Sequence, residues 1–352
     1  MRTAARLPRF LPAVLALGLL GGCGGSKDEV VLYCSVDQDQ FRPVVEEFTK
    51  ATGTKVEAVG ETEASRSVGM ARRVEMEREH PVADLLWANE IMNTVVLRDL
   101  QCFAPLPQGV AERFPERWRD RKGRFVAFAG RARILLVNTK LLPDRKDWPT
   151  SVADLADPKW SGEGRRVTVA RPLTGTTYTH AVALLSKDPE KGKAFWEAVA
   201  ARAAKGEVRI VPSNGATMNL ASKTENGVAW AVTDTDDALV AMERGDPVAV
   251  VYPDQGEGQP GTLVIPNTVA LIAGGPNPAG AAKLLEWLVS EDSEARLAAG
   301  PIGNIPLRDG VTAPAQVKRP GKDFRAMEVD WDEVGRNRDR WMGTLQTLFT
   351  SQ

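Results

Sequence analysis

Residues 30–59 read VVLYCSVDQDQFRPVVEEFTKATGTKVEAV, and this stretch decides the fold. Residues 30–35 are short, apolar and rich in β-formers, which predicts a buried strand. Residues 41–50 carry apolar side chains at helical spacing, so a helix is predicted to follow. Residues 55–59 then alternate in the way a second strand does. This strand–helix–strand order predicts an α/β fold with a parallel sheet covered by helices.

The alternation of strands and helices continues to the end of the chain, with a small break at Gly-Arg-Ala-Arg, residues 130–133. It predicts two α/β lobes of similar size with a ligand cleft between them, because open α/β sheets bind ligands beyond the carboxyl ends of their strands. The other predicted strands are residues 83–87, 125–129, 134–138, 167–170, 208–211, 228–232, 248–252, 262–265 and 268–272. The other predicted helices are residues 65–79, 90–100, 177–186, 191–204, 218–223, 236–243, 278–289, 291–299 and 331–349.

The charge balance and the motif inventory argue against several classes of function. The 352 residues include 45 Lys and Arg against 46 Asp and Glu, a formal charge of −1, which argues against nucleic acid as a partner. Residues 256–261 fit G-x-G-x-x-G, but a β-like run follows them where a dinucleotide site needs a helix. No combination of nucleophile, base and orienting group emerges from the sequence, so an enzyme is not predicted.

The N-terminus has the parts of a secretory signal. Three arginines precede an apolar run at residues 10–20, which is too short to span a bilayer as a mature helix. The Leu-Gly-Gly-Cys ending resembles a bacterial lipobox, which implies that residues 1–22 are removed, that Cys23 is lipidated and that residues 23–29 form a tether. The alternative is an ordinary signal with Cys23 incidental. Removing three basic and no acidic residues would take the formal charge from −1 to −4. The predicted location is extracytoplasmic, on a bacterial membrane.

Two further cysteines, Cys34 and Cys102, leave two interpretations open. An oxidising compartment permits a disulfide between them, but the sequence cannot establish bonding geometry, and two buried free thiols are the favoured interpretation.

Five stretches, in this order along the chain, resemble periplasmic solute-binding proteins of ABC importers, specifically the iron(III)-binding branch. They are FTKATGTKV at 48–56, ADLLWANE at 83–90, GRAR at 130–133, DLADPKWSG at 154–162 and NPAGAAKLLEWL at 277–288. The resemblance implies a two-lobed periplasmic-binding-protein fold with a hinge and an interlobe cleft. It also implies a monomer that closes on its ligand and works with an ABC permease and ATPase.

The resemblance places the chain crossings between the lobes near residues 128–134 and 263–268. The N-terminal lobe would comprise residues 30–129 plus 267–305, and the C-terminal lobe residues 130–266 plus 306–352. The last helix would then pack on the C-terminal lobe.

In ferric-binding relatives, oxygen ligands and a bound anion hold the metal. Glu90 matches the glutamate of that branch, although an acid there also suits the first turn of a helix. Asp37 falls where the branch often has histidine, and it could instead cap the following helix at Gln40.

The paired tyrosines of that branch would fall near residues 233–237, where this chain has Thr-Asp-Thr-Asp-Asp. Asp234, Asp236 and Asp237 could supply hard oxygen ligands in their place. The alternative is helix capping by Thr235 or Asp236. Thr235 and Glu63 are further cleft candidates.

An anion site is predicted more directly, in the turn Thr174, Gly175, Thr176 and Thr177 between a strand and a helix. This turn resembles the segment of the family whose backbone N–H groups and hydroxyls hold phosphate or carbonate. Arg131 or Arg133 could add a charge-assisted contact. The alternative is plain capping by Thr174 or Thr176.

The leading hypothesis is a lipid-anchored binding component of an ABC importer for iron(III), or a related metal, with phosphate or carbonate as a synergistic anion. The alternatives are a small organic ligand or oxyanion, such as a polyamine, a phosphonate or a phosphorylated sugar, and a lipoprotein sensor with the same fold. The membrane would be reached only through the Cys23 lipid, because no other segment approaches 18 apolar residues.

Overall fold

The structure is a computed structural model that describes residues 29–60, 68–162 and 165–350. Within these residues the helices are α1 (Gln38–Thr52), α2 (Val68–Met76), α3 (Met92–Asp99), α4 (Gly175–Lys187), α5 (Pro189–Ala204), α6 (Asn214–Ser222), α7 (Thr235–Glu243), α8 (Pro278–Leu288), α9 (Glu291–Ala299) and α10 (Trp331–Phe349). The strands are β1 (Glu29–Cys34), β2 (Lys55–Gly60), β3 (Leu85–Ala88), β4 (Val126–Asn138), β5 (Arg166–Ala170), β6 (Val208–Val211), β7 (Val228–Asp234), β8 (Val248–Val251) and β9 (Val264–Leu271).

The strands form one mixed sheet in the order β2-β1-β3-β9-β4-β7-β5-β6, with β8 also paired to β4. The predicted parallel pairing is confirmed at both flanks, where β1 pairs with β2 and β3, and β5 pairs with β6 and β7. It is wrong in the centre, where β4 and β9 pair antiparallel with each other and with their other neighbours. Neither central strand is joined to a neighbour by the crossover helix that parallel pairing requires.

Strand β4 is one continuous, fully buried strand, so the predicted break at residues 130–133 is wrong. The Gly-Arg-Ala-Arg segment instead forms a bulge: the register against β9 shifts between Phe128 and Arg131, and Ala129 has φ of 45°. A bulge bends a strand without ending it. The sequence also predicted two separate strands at residues 262–265 and 268–272. This separation is wrong, because residues 264–271 form β9 without interruption.

Strands β4 and β9 connect two halves of the molecule. The first part of β4 pairs with β9, and its second part pairs with β7 and β8. Each half contains a pair of buried aromatic rings in contact. The rings of Trp87 and Phe128 lie 5.5 Å apart in one half, and those of Trp160 and Trp230 lie 5.5 Å apart in the other. The fold is therefore two-lobed, as predicted.

Two helices differ from their predicted bounds. Helix α2 covers residues 68–76, against the predicted 65–79, and residues 61–67 lie outside the described part of the chain. Helix α6 begins at Asn214, four residues before the predicted start. Its first residues, Asn-Gly-Ala-Thr, carry little apolar periodicity, so the sequence pattern conceals the start. The Ser213 side chain caps this helix by accepting from the backbone N–H of Ala216.

The two cysteines are both buried thiols and are not joined to each other. Burial raises the pKa of the Cys102 thiol. The structure therefore agrees with the interpretation of two buried thiols and not with the disulfide.

Within the described residues, no helix combines the length and the apolar character needed to cross a membrane. The predicted signal peptide and Cys23 lie outside those residues.

Helix α10 packs on both lobes. It contacts α3 as well as α4 and α5, whereas the resemblance implied packing on the C-terminal lobe. Arg338 donates to Asn93 Oδ1 at 2.9 Å, and its backbone carbonyl accepts from the Tyr178 hydroxyl at 2.6 Å. Asp332 forms an ion pair with buried Arg98 at 2.6 Å. Helix α10 therefore bridges the lobes at a side other than the crossing strands.

We expect Gly335→Ala to lower the free energy of unfolding by about 1–3 kcal/mol, because it overpacks the contact between α10 and α3. A methyl group at Gly335 would lie 2.9 Å from Val95 Cβ. The matched control is Gly343→Ala in the same helix, where nothing lies within 4 Å of the added methyl. This control should be neutral or stabilising by up to about 1 kcal/mol. Urea unfolding of both variants checks the prediction, and equal effects would contradict it.

Candidate functional site

A cavity of about 260 Å³ lies between the lobes at the carboxyl ends of the flanking parallel strands. Asp37 and Asn89 reach it from the turns after β1 and β3. The other lobe supplies three helix starts, after β5, β6 and β7 respectively, and these belong to α4, α6 and α7. This is the position at which open α/β sheets hold their ligands.

Most of the predicted site residues line this cavity. They are Asp37, Arg131, the turn Thr174–Thr177, Asp234, Asp236 and Asp237. Arg133, Glu90 and Thr235 do not line it, and Glu63 and Cys23 lie outside the described residues. The ligand role of each residue stays a prediction.

The turn before α4 presents backbone N–H groups to the cavity. Thr174 is the N-cap residue, but its side chain makes no capping hydrogen bond. The predicted alternative of capping by the Thr174 side chain is therefore wrong. Gly175 has φ of 59°, a conformation that glycine adopts at little cost. The hydroxyl of Thr176 donates to Asp234 Oδ2 at 2.5 Å, and that of Thr177 donates to Asn214 Oδ1 at 3.0 Å. Thr174, Thr176 and Thr177 therefore leave the first N–H groups of the helix without a threonine cap, and such N–H groups are able to bind an anion.

Arg133 is fully buried and belongs to the framework of the site. Its guanidinium forms an ion pair with Asp234 Oδ1 at 2.8 Å. It also donates to the hydroxyls of Thr176 and Thr177, at 3.2 and 3.1 Å, and to Asn214 Oδ1 at 3.2 Å. The structure therefore gives Arg133 partners within the protein that tie β4, β7, α4 and α6 together.

Asp234 is the N-cap residue of α7 and forms a capping box with Asp237, whereas the sequence favoured Thr235 or Asp236 as the cap. The pattern Asp-Thr-Asp-Asp contains several possible caps in succession, so the choice depends on where β7 ends. The Thr235 hydroxyl turns away and accepts from the backbone N–H of Ala132 at 3.2 Å.

The three aspartates of this turn crowd their negative charge. One carboxylate oxygen from each of Asp234, Asp236 and Asp237 lies within 4.8 Å of the others. Burial, together with the neighbouring charges of Asp236 and Asp234, raises the pKa of Asp237 to about 8. Burial also raises the pKa of Asp236, and the charge of Asp234 adds to this. A cation in the cavity would relieve this repulsion.

Arg131 is 7 % exposed and lines the cavity from the β4 bulge. Its Nη2 donates to Asn267 Oδ1 at 3.0 Å, and its Nη1 lies 3.7 Å from Asp236 Oδ2. Its Nε is buried and has no hydrogen-bond partner among the described residues. The predicted choice between Arg131 and Arg133 thus falls on Arg131 as the arginine that faces the cavity.

Glu90 is buried beside α3 and serves as its cap. Its carboxylate accepts from the backbone N–H groups of Met92 and Asn93, at 2.7 and 3.0 Å, and from the Thr179 hydroxyl at 3.0 Å. Burial raises its pKa. The geometry therefore favours the first-turn acid over the metal ligand, and the neighbouring Asn89 lines the cavity instead.

Asp37 stands at the start of α1 and is exposed. Its side chain makes no capping bond to that helix, while its backbone carbonyl accepts from Gln40 N at 3.0 Å. The predicted alternative of side-chain capping at Gln40 is therefore wrong.

Sequence reasoning missed Asn89 and the Ser213–Gly215 turn. The Ser-Asn-Gly signal after a predicted strand could have identified the turn as a helix start. The three tyrosines of the chain are all elsewhere. The Tyr33 hydroxyl donates a hydrogen bond to Glu77, and the Tyr178 hydroxyl donates one to the backbone carbonyl of Arg338. Tyr252 stacks on the ring of Phe324, outside the cavity.

Residues 44–325 match the family described as bacterial extracellular solute-binding protein. The chain is 27 % identical over 343 residues to "Iron uptake protein A1" of Synechocystis, covering 92 % of this chain and 90 % of that protein. It is 25 % identical over 333 residues to the "Putative 2-aminoethylphosphonate-binding periplasmic protein" of Salmonella typhimurium, covering 92 % and 93 %. Among solved structures, iron-bound HitA from Pseudomonas aeruginosa superimposes with a TM-score of 0.78 at 19 % identity, covering 91 % of this chain and 99 % of that one.

We expect Asp237→Asn to flatten the dependence of stability on pH between about pH 5 and 8. The folded protein holds a proton on Asp237 up to about pH 8, whereas the unfolded chain releases it near pH 4. The unfolded state therefore binds fewer protons in this range, and the wild type loses stability as pH rises, by up to about 1.4 kcal/mol per pH unit.

Urea unfolding of ligand-stripped protein at several pH values measures this slope. Asn keeps an oxygen that can accept from Thr233, which donates to Asp237 Oδ2 at 2.5 Å in the wild type. Exposed Asp309→Asn is the control and should keep the wild-type slope. An unchanged slope in Asp237→Asn would contradict the pKa assignment.

Proposed function

The chain belongs to the bacterial extracellular solute-binding proteins, and we propose that it captures iron(III) together with an anion in the interlobe cavity and delivers them to an ABC permease. The observation that carries this proposal is the pairing of two opposite environments in one cavity: the crowded carboxylates of the α7 turn, and the helix starts of α4 and α6. A metal ion with a co-bound anion uses both.

The cation half comprises Asp236, Asp237 and, from the other lobe, Asp37. Carboxylate oxygens are hard donors and suit a highly charged metal ion. Asp234 is less suited, because Arg133, Thr176 and Asn214 already engage both of its oxygens at 2.5–2.8 Å. Glu90 is not included among the proposed ligands, because its carboxylate caps α3.

The anion half comprises the turn Thr174–Thr177 and the turn Ser213–Gly215. Both turns precede helices of nine or more residues, whose first N–H groups attract anions. Phosphate, carbonate and citrate all carry the oxygen atoms that such turns bind. The structure of Trichodesmium IdiA (FutA) in complex with iron and citrate ligands has the same fold as this chain, with a TM-score of 0.75.

The mechanism is domain closure without bond chemistry. Asp37 and Asn89 belong to one lobe, and the other lining residues belong to the second lobe or to the crossing strand. A ligand that contacts both lobes only in the closed state shifts the population toward that state. An ABC permease and its ATPase are the proposed partners of the closed form.

The proposed location is extracytoplasmic, with the chain tethered to a bacterial membrane through a lipid on Cys23. The basic, apolar and small-residue segments of residues 1–22 support a signal peptide. A lipid anchor would keep the binding protein near its permease.

A second candidate ligand is an aminoalkylphosphonate, which carries an ammonium and an oxyanion in one molecule. The observation that favours this ligand is that, within the described residues, no tyrosine lines the cavity. The cavity therefore offers no phenolate oxygen to a metal ion. The ammonium would face Asp236 and Asp237, and the phosphonate would face the helix starts. The relative from Salmonella typhimurium is named as a putative binding protein for 2-aminoethylphosphonate, a ligand of this class.

We expect the mature chain to bind iron(III) supplied as citrate, and Asp236→Ala to weaken this binding by at least about tenfold, because a hard ligand is removed. Exposed Asp309→Ala is the matched control and should bind as the wild type does. Equilibrium dialysis against iron(III) citrate measures both affinities. Binding of 2-aminoethylphosphonate without binding of iron(III) would replace the first proposal with the second, and binding of neither would overturn both.

We expect Cys23→Ser to move the protein from the membrane fraction to the soluble extracytoplasmic fraction, because the lipid attachment point is lost. Ser26→Ala in the tether is the control and should stay with the membrane. Fractionation of cells that express the full chain, followed by mass analysis of the N-terminal peptide, measures the result. A wild-type protein without a lipid would contradict the anchor.

A further inference from the structure

A buried hydrogen bond joins the two lobes beside the cavity. Helix α3 follows β3 in one lobe, and α4 follows β5 in the other. The hydroxyl of Thr179 in α4 donates to Oε2 of Glu90, just before α3, at 3.0 Å. The same hydroxyl lies 3.4 Å from the carbonyl of Gly175, so the shorter contact to a carboxylate takes its one proton. Glu90 is 1 % exposed and Thr179 is fully buried, so water does not compete for this bond.

The carboxylate of Glu90 is shared between the lobes. It accepts from the backbone N–H groups of Met92 and Asn93 in its own lobe, at 2.7 and 3.0 Å. Its bond from Thr179 comes from the other lobe. Loss of the Thr179 hydroxyl would leave the cap of α3 in place and remove only the bond between the lobes.

A second connection runs parallel to this bond through α10. Tyr178, the residue before Thr179, donates from its hydroxyl to the backbone carbonyl of Arg338 at 2.6 Å. The Arg338 side chain donates to Asn93 Oδ1 at 2.9 Å. Two consecutive residues of α4 therefore reach the start of α3, one directly and the other through α10.

The bond between Glu90 and Thr179 lies next to the cavity without lining it. Asn89, which precedes Glu90, lines the cavity, and so does Thr176, one turn before Thr179 in α4. Glu90 and Thr179 are not among the lining residues. The pair can therefore act on a ligand only through the relative position of the lobes.

We propose that the bond between Glu90 and Thr179 is an interlobe latch, which stabilises the closed arrangement of the lobes before a ligand enters. A hydrogen bond tolerates little displacement, so rotation of the lobes about β4 and β9 would break it. No ligand atom takes part in it, so it raises the closed population, and with it the affinity, by the same factor for every ligand.

This inference rests on the proposed function, because it assigns what sets the affinity of the same cavity. It makes Glu90 a positioning residue, whereas the resemblance implied a metal ligand. The two roles differ in their effect on binding. Loss of a metal ligand weakens the binding of the metal alone, and loss of a latch weakens the binding of every ligand equally.

The test compares variants of Thr179. Thr179→Val keeps the shape and removes the hydroxyl, and Thr179→Ser keeps the hydroxyl. Thr168→Val is the matched control, because Thr168 is also fully buried and its hydroxyl donates to the carbonyl of Arg209 at 2.9 Å within one lobe. Thermal unfolding of each variant establishes that it is folded.

The first measurement is the distance between the lobes without a ligand. Spin labels are placed at exposed Lys50→Cys and Lys205→Cys, one in each lobe, in the mature chain with Cys23→Ser. Cys34 and Cys102 are buried and stay unlabelled. Pulsed electron–electron resonance then gives the distribution of distances between the labels.

The second measurement is calorimetric titration with iron(III) citrate, inorganic phosphate and 2-aminoethylphosphonate. We expect Thr179→Val to change the distribution of interlobe distances toward a more open arrangement. It should also weaken the binding of each probe that the wild type binds by one common factor of about 5- to 30-fold, the effect of losing a buried hydrogen bond to a charged group. Thr179→Ser and Thr168→Val should match the wild type in both measurements.

The outcomes separate the latch from the proposed function. Unchanged interlobe distances in Thr179→Val, or weaker binding of iron(III) citrate alone, would overturn the latch and leave the function standing where the wild type binds iron(III) citrate. A wild type that binds none of the probes, with altered distances in Thr179→Val only, would overturn the proposed ligands and support the latch. No binding together with unchanged distances would overturn both.

Discussion

The buried ion pair between Arg133 and Asp234 is the contact on which the rest of the site depends. Both side chains are at most 3 % exposed, and burying two charges is unfavourable unless further hydrogen bonds satisfy them. Thr176, Thr177 and Asn214 provide these bonds from two helix starts. The pair therefore fixes the relative positions of α4, α6 and the β7–α7 turn, and the cavity is the space left between them.

This arrangement separates the charges that hold the site from the charges that face a ligand. Arg133 donates to an aspartate, two hydroxyls and an amide of the protein, whereas Arg131 donates to one amide, that of Asn267, and Asp236 and Asp237 repel each other. Natural cores rarely leave such groups without compensation. Their concentration in one interlobe cavity, and not the fold alone, is what supports a ligand of mixed charge at this place.

The sequence predicted the two-lobed fold and most of the cavity lining, because turns after apolar strands are visible in a single sequence. It could not distinguish Arg131 from Arg133, since both lie in the same Gly-Arg-Ala-Arg segment and the bulge decides which one faces the cavity. It placed Glu90 in the site where the structure has Asn89, a difference of one residue that depends on how α3 is capped. The centre of the sheet was misjudged because antiparallel insertion of β4 and β9 depends on pairing between distant segments.

The bulge in β4 links the connection between the lobes to the chemistry of the cavity. Its positive φ at Ala129 is unfavourable for a residue with a side chain, and it is maintained by bonds from other segments. The backbone N–H of Ala129 donates to buried Glu294 at 2.8 Å, and Gly130 exchanges backbone hydrogen bonds of 2.7 and 2.8 Å with Ile305. These contacts hold the bend that points Arg131 into the cavity. The strands that connect the lobes also carry Arg131, the cationic group of the site, and its partner Asn267. A charged ligand in the cavity therefore interacts with residues that also set the geometry of the connection between the lobes.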